Sequence, residues 1–310
     1  MLLILFGGLV AVATPAMETS SAHERSCPTA ADAQELIHYI NDNSVGCIQM
    51  TAGTFTIEFP LDIKRSLLIA TAVGQTAEIN MISSGSAIHV APGGALNLTD
   101  VTITGVDGGN NGSPGIQVDS GGYAMLTSCK IHGFGGASYG GGVANDGIMT
   151  MVNSSIFSNW AFQCGGGISN TGSMIMMGCS VYNSNANGGG GVCNRNGTMS
   201  MTKCSIYSNE AYIPNKQSGG GVWNGATLTM KDCTIFANNA FSGGGIWNVF
   251  TGDSQGKITL LTSLIFNNRA ATAPAIGNEG SAGIVAFQGP CDDCIYNNTH
   301  RSIPSKLEPK

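Results

Sequence analysis

Gly140-Gly141-Gly142-Val143-Ala144-Asn145 is a run of glycines, one branched aliphatic residue, a variable residue and an asparagine. The phrase returns at Gly165 to Asn170, Gly189 to Asn194, Gly219 to Asn224 and Gly243 to Asn248, and in degraded form at Ala275-Ile276-Gly277-Asn278. Its asparagines advance by 25, 24, 30, 24 and 30 residues. A period in this range, repeated this often, marks a solenoid.

A second phrase lies between the glycine runs. It reads Cys204-Ser205-Ile206-Tyr207-Ser208-Asn209-Glu210-Ala211, with companions starting at Ser154, Cys179, Cys233 and Ser263 and weaker versions at Val101, Cys129 and Asp293. Ahead of it runs an alternating strand: Met149 and Met151, Met174 and Met176, Met199 and Met201, Leu228 and Met230, Ile258 and Leu260. Apolar residues two apart face one side of a strand, and the Thr, Ser and Lys around them face the other. Three short strands per repeat make one coil of a β-helix. Helical repeats of similar period need helix formers, whereas Gly, Asn, Ser, Thr and β-branched residues fill these repeats. Propeller blades are longer, about 40 residues or more. The expected fold is therefore all-β: a single-stranded right-handed parallel β-helix.

Only 10% of the 310 residues are charged, 42% are apolar and 45 are glycine. Each repeat nevertheless carries a consistent apolar row, which a disordered chain lacks. The net charge of -6 and only 13 Lys and Arg argue against a nucleic-acid partner. A solenoid of this length grows along one axis and forms a single elongated domain.

The chain divides accordingly. Leu2 to Ala13 has the length of a signal-peptide core, with small residues at Ala11 and Ala13 or at Ser20 and Ala22 for cleavage, and residues 1–22 are expected to be a signal peptide. No later segment is apolar enough for a transmembrane helix. Residues 23–47 are expected to cap the solenoid, since Ala33, Leu36, Ile37 and Ile40 fall at helical spacing behind Asp32 and Glu35. Cys27 and Cys47 flank that helix and would staple it as a disulfide in a secreted chain. The β-helix follows over 48–298, and 299–310 form a polar tail. Cys291 and Cys294 suit a local disulfide better than a metal.

In a parallel helix coils lie about 4.8 Å apart, so like residues stack. Asn145, Asn170, Asn194, Asn224, Asn248 and Asn278 would then form an amide ladder at a turn. Phe157, Tyr182, Tyr207, Phe236 and Phe266 would form an aromatic row, with His132 in line. Cys129, Cys179, Cys204 and Cys233 would face inward as free thiols, because parallel Cβ vectors bridge poorly.

With both phrases in hand, the chain resembles secreted parallel β-helix proteins, and in detail the polymorphic outer-membrane protein repeats of bacteria. There a Gly-Gly-x-Ile phrase alternates with an aromatic-x-x-Asn phrase. Here Phe157-Ser158-Asn159 and Tyr207-Ser208-Asn209 keep one residue, not two, between aromatic and asparagine. The resemblance covers about residues 95 to 300 and implies export and surface adhesion. Adhesins of that kind end in a membrane barrel, whose ten-residue strands do not follow residue 300. The fold is shared more distantly with pectate-lyase-like enzymes, and fold alone does not carry their activity.

Two constellations are candidates for chemistry. After the asparagine slot, successive coils carry Asp119, Asp146, Thr171 and Arg195. Two carboxylates one coil apart could share Ca²⁺ while Arg195 acts on a sugar acid, which would make a polysaccharide lyase. The outward slot before the asparagine holds Ala144, Ser169, Cys193, Trp223 and Trp247, where two exposed indoles could bind a glycan. The stronger expectation is a secreted or cell-surface protein that binds a polysaccharide, a surface glycan or a partner protein, without a cofactor. The Ca²⁺-assisted lyase or hydrolase on uronic-acid polymers is the alternative. Sequons such as Asn97 and Asn153 matter only in a eukaryotic secretory pathway.

Overall fold

The computed structural model describes residues 27–106, 112–211, 218–251, 254–278, 284–288 and 295–300. The expected signal peptide, the cysteines 291 and 294 and the end of the tail lie outside them.

The chain winds as a parallel solenoid of three long sheets. An 11-stranded sheet A begins with β1 (Thr29–Ala30), β2 (Cys47–Met50) and β5 (Ser66–Thr71), and a 10-stranded sheet B with β3 (Gly53–Ile57) and β6 (Ala77–Met81). A 9-stranded sheet C begins with β4 (Leu61–Ile63) and β7 (Ile88–Val90). Their pairings keep one register from coil to coil. Met149 lies against Met174, Met174 against Met199, and Asn145 against Asn170, then Asn194, Asn224, Asn248 and Asn278. The methionine and aliphatic rows fill a continuous dry core.

Two devices turn the chain at each corner. Residues such as Asn153, Lys203 and Asp232 take left-handed φ between sheets A and B, as do Asn183, Ser208 and Asn267 after sheet B. The glycine run makes the other corner, and its members differ in purpose. Gly189 has φ +54, a Cβ on Gly190 would collide with the backbone of Glu210, and one on Gly191 would lie 2.7 Å from Asn209 Nδ2.

That third glycine makes room for a second amide ladder, which the sequence reading missed. Asn209 Nδ2 donates to Asn238 Oδ1 at 3.1 Å, Asn238 Nδ2 to Asn268 Oδ1 at 3.0 Å, and Asn268 Nδ2 to Asn298 Oδ1 at 3.1 Å. In the first ladder Asn145, Asn170, Asn194 and Asn224 donate to the next coil's asparagine at 2.7, 3.0, 2.9 and 2.8 Å. The aromatic row stacks from His132 through Phe266 with centroids 4.5 to 5.2 Å apart. Cys129, Cys179, Cys204 and Cys233 are free and buried, and desolvation pushes the Cys129 thiol up to about 12.

Helix α1 (Ala33–Asn41) crosses the start of the solenoid, burying Leu36 and Ile40. Asp32 caps it, its side chain accepting from Glu35 N–H, and Glu35 accepts in return from Ala31 N–H. Arg65 Nη2 donates to the Tyr39, Ile40 and Asp42 carbonyls at 3.1, 3.0 and 2.8 Å, satisfying the other end. Ile37 departs from the expected buried face and is 39% exposed. A disulfide joins Cys27 to Cys47 across the helix.

Candidate functional site

The outer face of sheet C carries the chemistry of this molecule. Its outward slot reads, coil by coil, Asp62, His89, Gln117, Ala144, Ser169, Cys193, Trp223, Trp247 and Gly277. The row just after the strand carries Asp119, Asp146, Thr171 and Arg195, each backbone N–H donating to the preceding coil. Charged and polar groups thus gather toward the cap, and aromatic ones further along.

At the cap end His89 sits between two carboxylates, Nδ1 3.0 Å from Asp62 Oδ1 and Nε2 2.9 Å from Asp119 Oδ2. Burial alone would lower the His89 pKa, but the hydrogen bonds and charges of Asp119 and Asp62 outweigh it and raise it. The His89 hydrogen bond, opposed by burial and helped by Gln117, lowers Asp119. Burial works against the shift at Asp62, yet bonds from His89 and Lys64 carry it down. The sequence reading missed this clasp, because its three residues belong to irregular first coils whose register no repeated phrase fixes.

A pH dependence follows from these directions. The imidazolium contribution is complete below the unfolded histidine value of about 6.5 and is lost as pH rises through the raised folded value. The carboxylate contributions are present above about 3.9 and lost as pH falls through the depressed folded values. The melting-temperature difference between the wild type and His89→Gln should therefore be largest near about pH 5 and shrink as pH rises through the raised His89 value. A difference constant over that range would remove the clasp from the stability balance.

The proposed metal pair is stacked but committed elsewhere. Asp119 turns to His89 and Gln117, while Asp146 accepts from the Thr171 hydroxyl. Among the described residues no group of three or more His, Cys, Asp or Glu side chains is arranged to hold a metal ion. Arg195 makes no ion pair with either carboxylate, and its guanidinium carbon lies 3.7 Å from the centroid of the Tyr139 ring. That contact links coils two apart across the outer face, above the small side chains of the middle slot.

The expected pair of exposed indoles needs correction. Trp223 is half-buried and Trp247 only 6% exposed. Trp247 lies over Gly277 of the next coil, where no Cβ could fit, and its Nε1 has no partner among the described residues. A glycine in the degraded phrase accepts the large ring, and the ring is covered as a result.

A different aromatic patch replaces that pair. Trp160 and Phe162 meet edge to face at 4.8 Å, and Phe162 is 50% exposed. The Tyr139 hydroxyl donates to Gln163 Oε1 in the same corner. A disulfide between Cys164 and Cys193 anchors this corner to sheet C. Cβ positions at Gly188 would lie 3.7 Å from both Cys164 Sγ and Trp223 Cδ1, so Trp223 borders the same patch. Cys164 was overlooked because it stands outside both phrases; the signal was two cysteines outside the thiol row, one before a glycine run and one in the next outward slot.

A family model described as "Right handed beta helix region" matches residues 86–286. No curated protein matches. Among solved structures, ORF18 of Geobacillus virus E2 is similar at 12% identity and TM-score 0.52, over 83% of this chain and 56% of that one. The chain thus spans little more than half the length of that viral protein. Pectate lyase Pel9A is 13% identical with TM-score 0.42 over 83% and 70% of the two chains. PfbA, a surface adhesin of Streptococcus pneumoniae, is 12% identical with TM-score 0.31 over 88% and 90%. At 12% identity the likeness to the viral protein carries the fold alone.

Proposed function

The chain belongs to the right-handed β-helix family, and on that premise we propose that it is a secreted or cell-surface protein binding a glycan through the aromatic patch beside sheet C. The observation that carries this reading is the patch itself. Tyr139, Phe162 and Trp223 stand round a disulfide-anchored corner, and Arg195 is fixed on the Tyr139 ring with no ion-pair partner among the described residues. Aromatic faces take the apolar side of a sugar ring, and a guanidinium held in place loses little freedom on meeting a hydroxyl or an anionic group. Two disulfides support an oxidising compartment. No helix among the described residues is long and apolar enough to cross a membrane.

A glycan array with the full chain tests this. Phe162→Ala and Arg195→Gln should each weaken the strongest signal about tenfold, and Trp223→Ala at least as much. Unchanged binding in all three would refute the site. The lyase alternative rests on the Asp119, Asp146 and Arg195 row. On uronic-acid polymers no unsaturated-product absorbance is expected; a signal abolished by chelator would establish the lyase instead.

A further inference from the structure

The cap end holds a cleft of about 250 Å³ between the C-terminal half of α1 and β4, well away from the aromatic patch along the coils. Phe59, 76% exposed, and Ile37 give it an apolar wall. Asn43, Asp62 and Lys64 face that wall, with Lys64 Nζ 3.3 Å from Asp62 Oδ2. Exposed aromatic surface beside converging polar groups is the composition of a small-ligand site.

The backbone says which ligand. β4 is the last strand of sheet C. Leu61 N–H donates to Ala87 O at 2.9 Å and Ile63 O accepts from Ala91 N–H at 3.0 Å, so both residues direct their peptide groups toward β7. Asp62, between them, turns its N–H and C=O to the open side, where the cleft lies. A free donor and acceptor on one residue are complemented by an amide. Another strand is the usual supplier, but β4 has three residues, Pro60 before it lacks an N–H and Lys64 follows it. Short length, proline and lysine are how proteins blunt an edge against strand addition.

A small ligand with one amide and one apolar face meets neither obstacle. We propose that this cleft binds the terminal 2-acetamido sugar of a glycan. The acetamido N–H and C=O pair with the Asp62 peptide groups, its methyl lies against Ile37, and the apolar face of the ring rests on Phe59. The Asp62 carboxylate and Lys64 ammonium take the hydroxyls. The cleft has room for one such residue rather than a chain. This site is separate from the aromatic patch, and either stands if the other fails.

Saturation-transfer NMR and calorimetry on the full chain decide it. The probes are the methyl β-glycosides of N-acetylglucosamine, N-acetylgalactosamine and glucose, with a linear N-acetylglucosamine trimer. At least one acetamido glycoside should bind with a Kd of about 1 mM, at least about tenfold tighter than the glucoside. The trimer of a sugar that binds should match its monomer within about threefold, since only its end enters. Phe59→Ala and Ile37→Ser, both at exposed positions, should weaken binding about tenfold, while Met177→Ala, exposed on sheet A and outside both sites, leaves it unchanged. Equal affinity for the glucoside, full binding by Phe59→Ala, or no transfer from any probe at about 50 mM would overturn the proposal. So would tighter binding of an extended acetylated tripeptide amide, which would make the edge a strand acceptor.

Discussion

Asn194→Ala should destabilise the protein by about 3–5 kcal/mol, since each buried polar group it orphans costs about 1–3 kcal/mol. Asn194 is fully buried. It accepts from Asn170 Nδ2 at 3.0 Å and donates to Asn224 Oδ1 at 2.9 Å and to the Thr227 carbonyl at 3.0 Å. Alanine leaves an amide hydrogen on one side and two acceptors on the other, in a space without solvent. Urea unfolding followed by circular dichroism measures the loss. In a solenoid, whose coils contact only their neighbours, the lesion should also split the transition at the altered coil. A loss below about 1 kcal/mol would mean that the ladder contributes little beyond filling the corner.

Gly190→Ala is expected to cost more, beyond about 4 kcal/mol, or to abolish the folded state. Its φ is ordinary, so the argument is purely steric. A Cβ there would stand 2.6 Å from the Glu210 carbonyl carbon and 2.7 Å from the Glu210 nitrogen. Both belong to the next coil's backbone, so the methyl can be admitted only by prising two coils apart, which disturbs hydrogen bonds on both flanks. Gly46→Ala is the control, because nothing lies within 4 Å of a Cβ at that position. It should change stability by no more than about 0.5–1 kcal/mol in either direction. Thermal unfolding of the two variants side by side reads the contrast, and similar melting points would discredit the steric account.

Much of the architecture was legible because it repeats. Position in a phrase dictated coil register, so the methionine rows, the first amide ladder and the aromatic stack could be placed before any coordinate was known. The second ladder escaped because Ser184 interrupts it and because Ser208-Asn209 reads equally well as a turn. The candidate sites were harder, for a physical reason. Stacking fixes where a Cα stands, but the direction of a long side chain depends on what neighbouring coils leave open. Trp247 looked exposed until Gly277 proved small enough to lie beneath its ring, and Arg195 looked free for a substrate until Tyr139 two coils back gave it a seat. Asp62, His89 and Asp119 lie 27 and 30 residues apart in coils without the glycine phrase, so no pattern announced them.

The four links of the first amide ladder from Asn145 to Asn248 run one way, each side chain handing its hydrogen toward the C-terminus. The first member, Asn145, is consequently left with an Oδ1 that nothing among the described residues satisfies, since Val118 occupies the place before it. That end defect costs about 1–3 kcal/mol once, whatever the number of rungs. Inserting or deleting a whole turn adds or removes one complete link and leaves the defect as it was. The reach of the molecule from its cap can therefore change in steps of about 4.8 Å without a new terminal penalty.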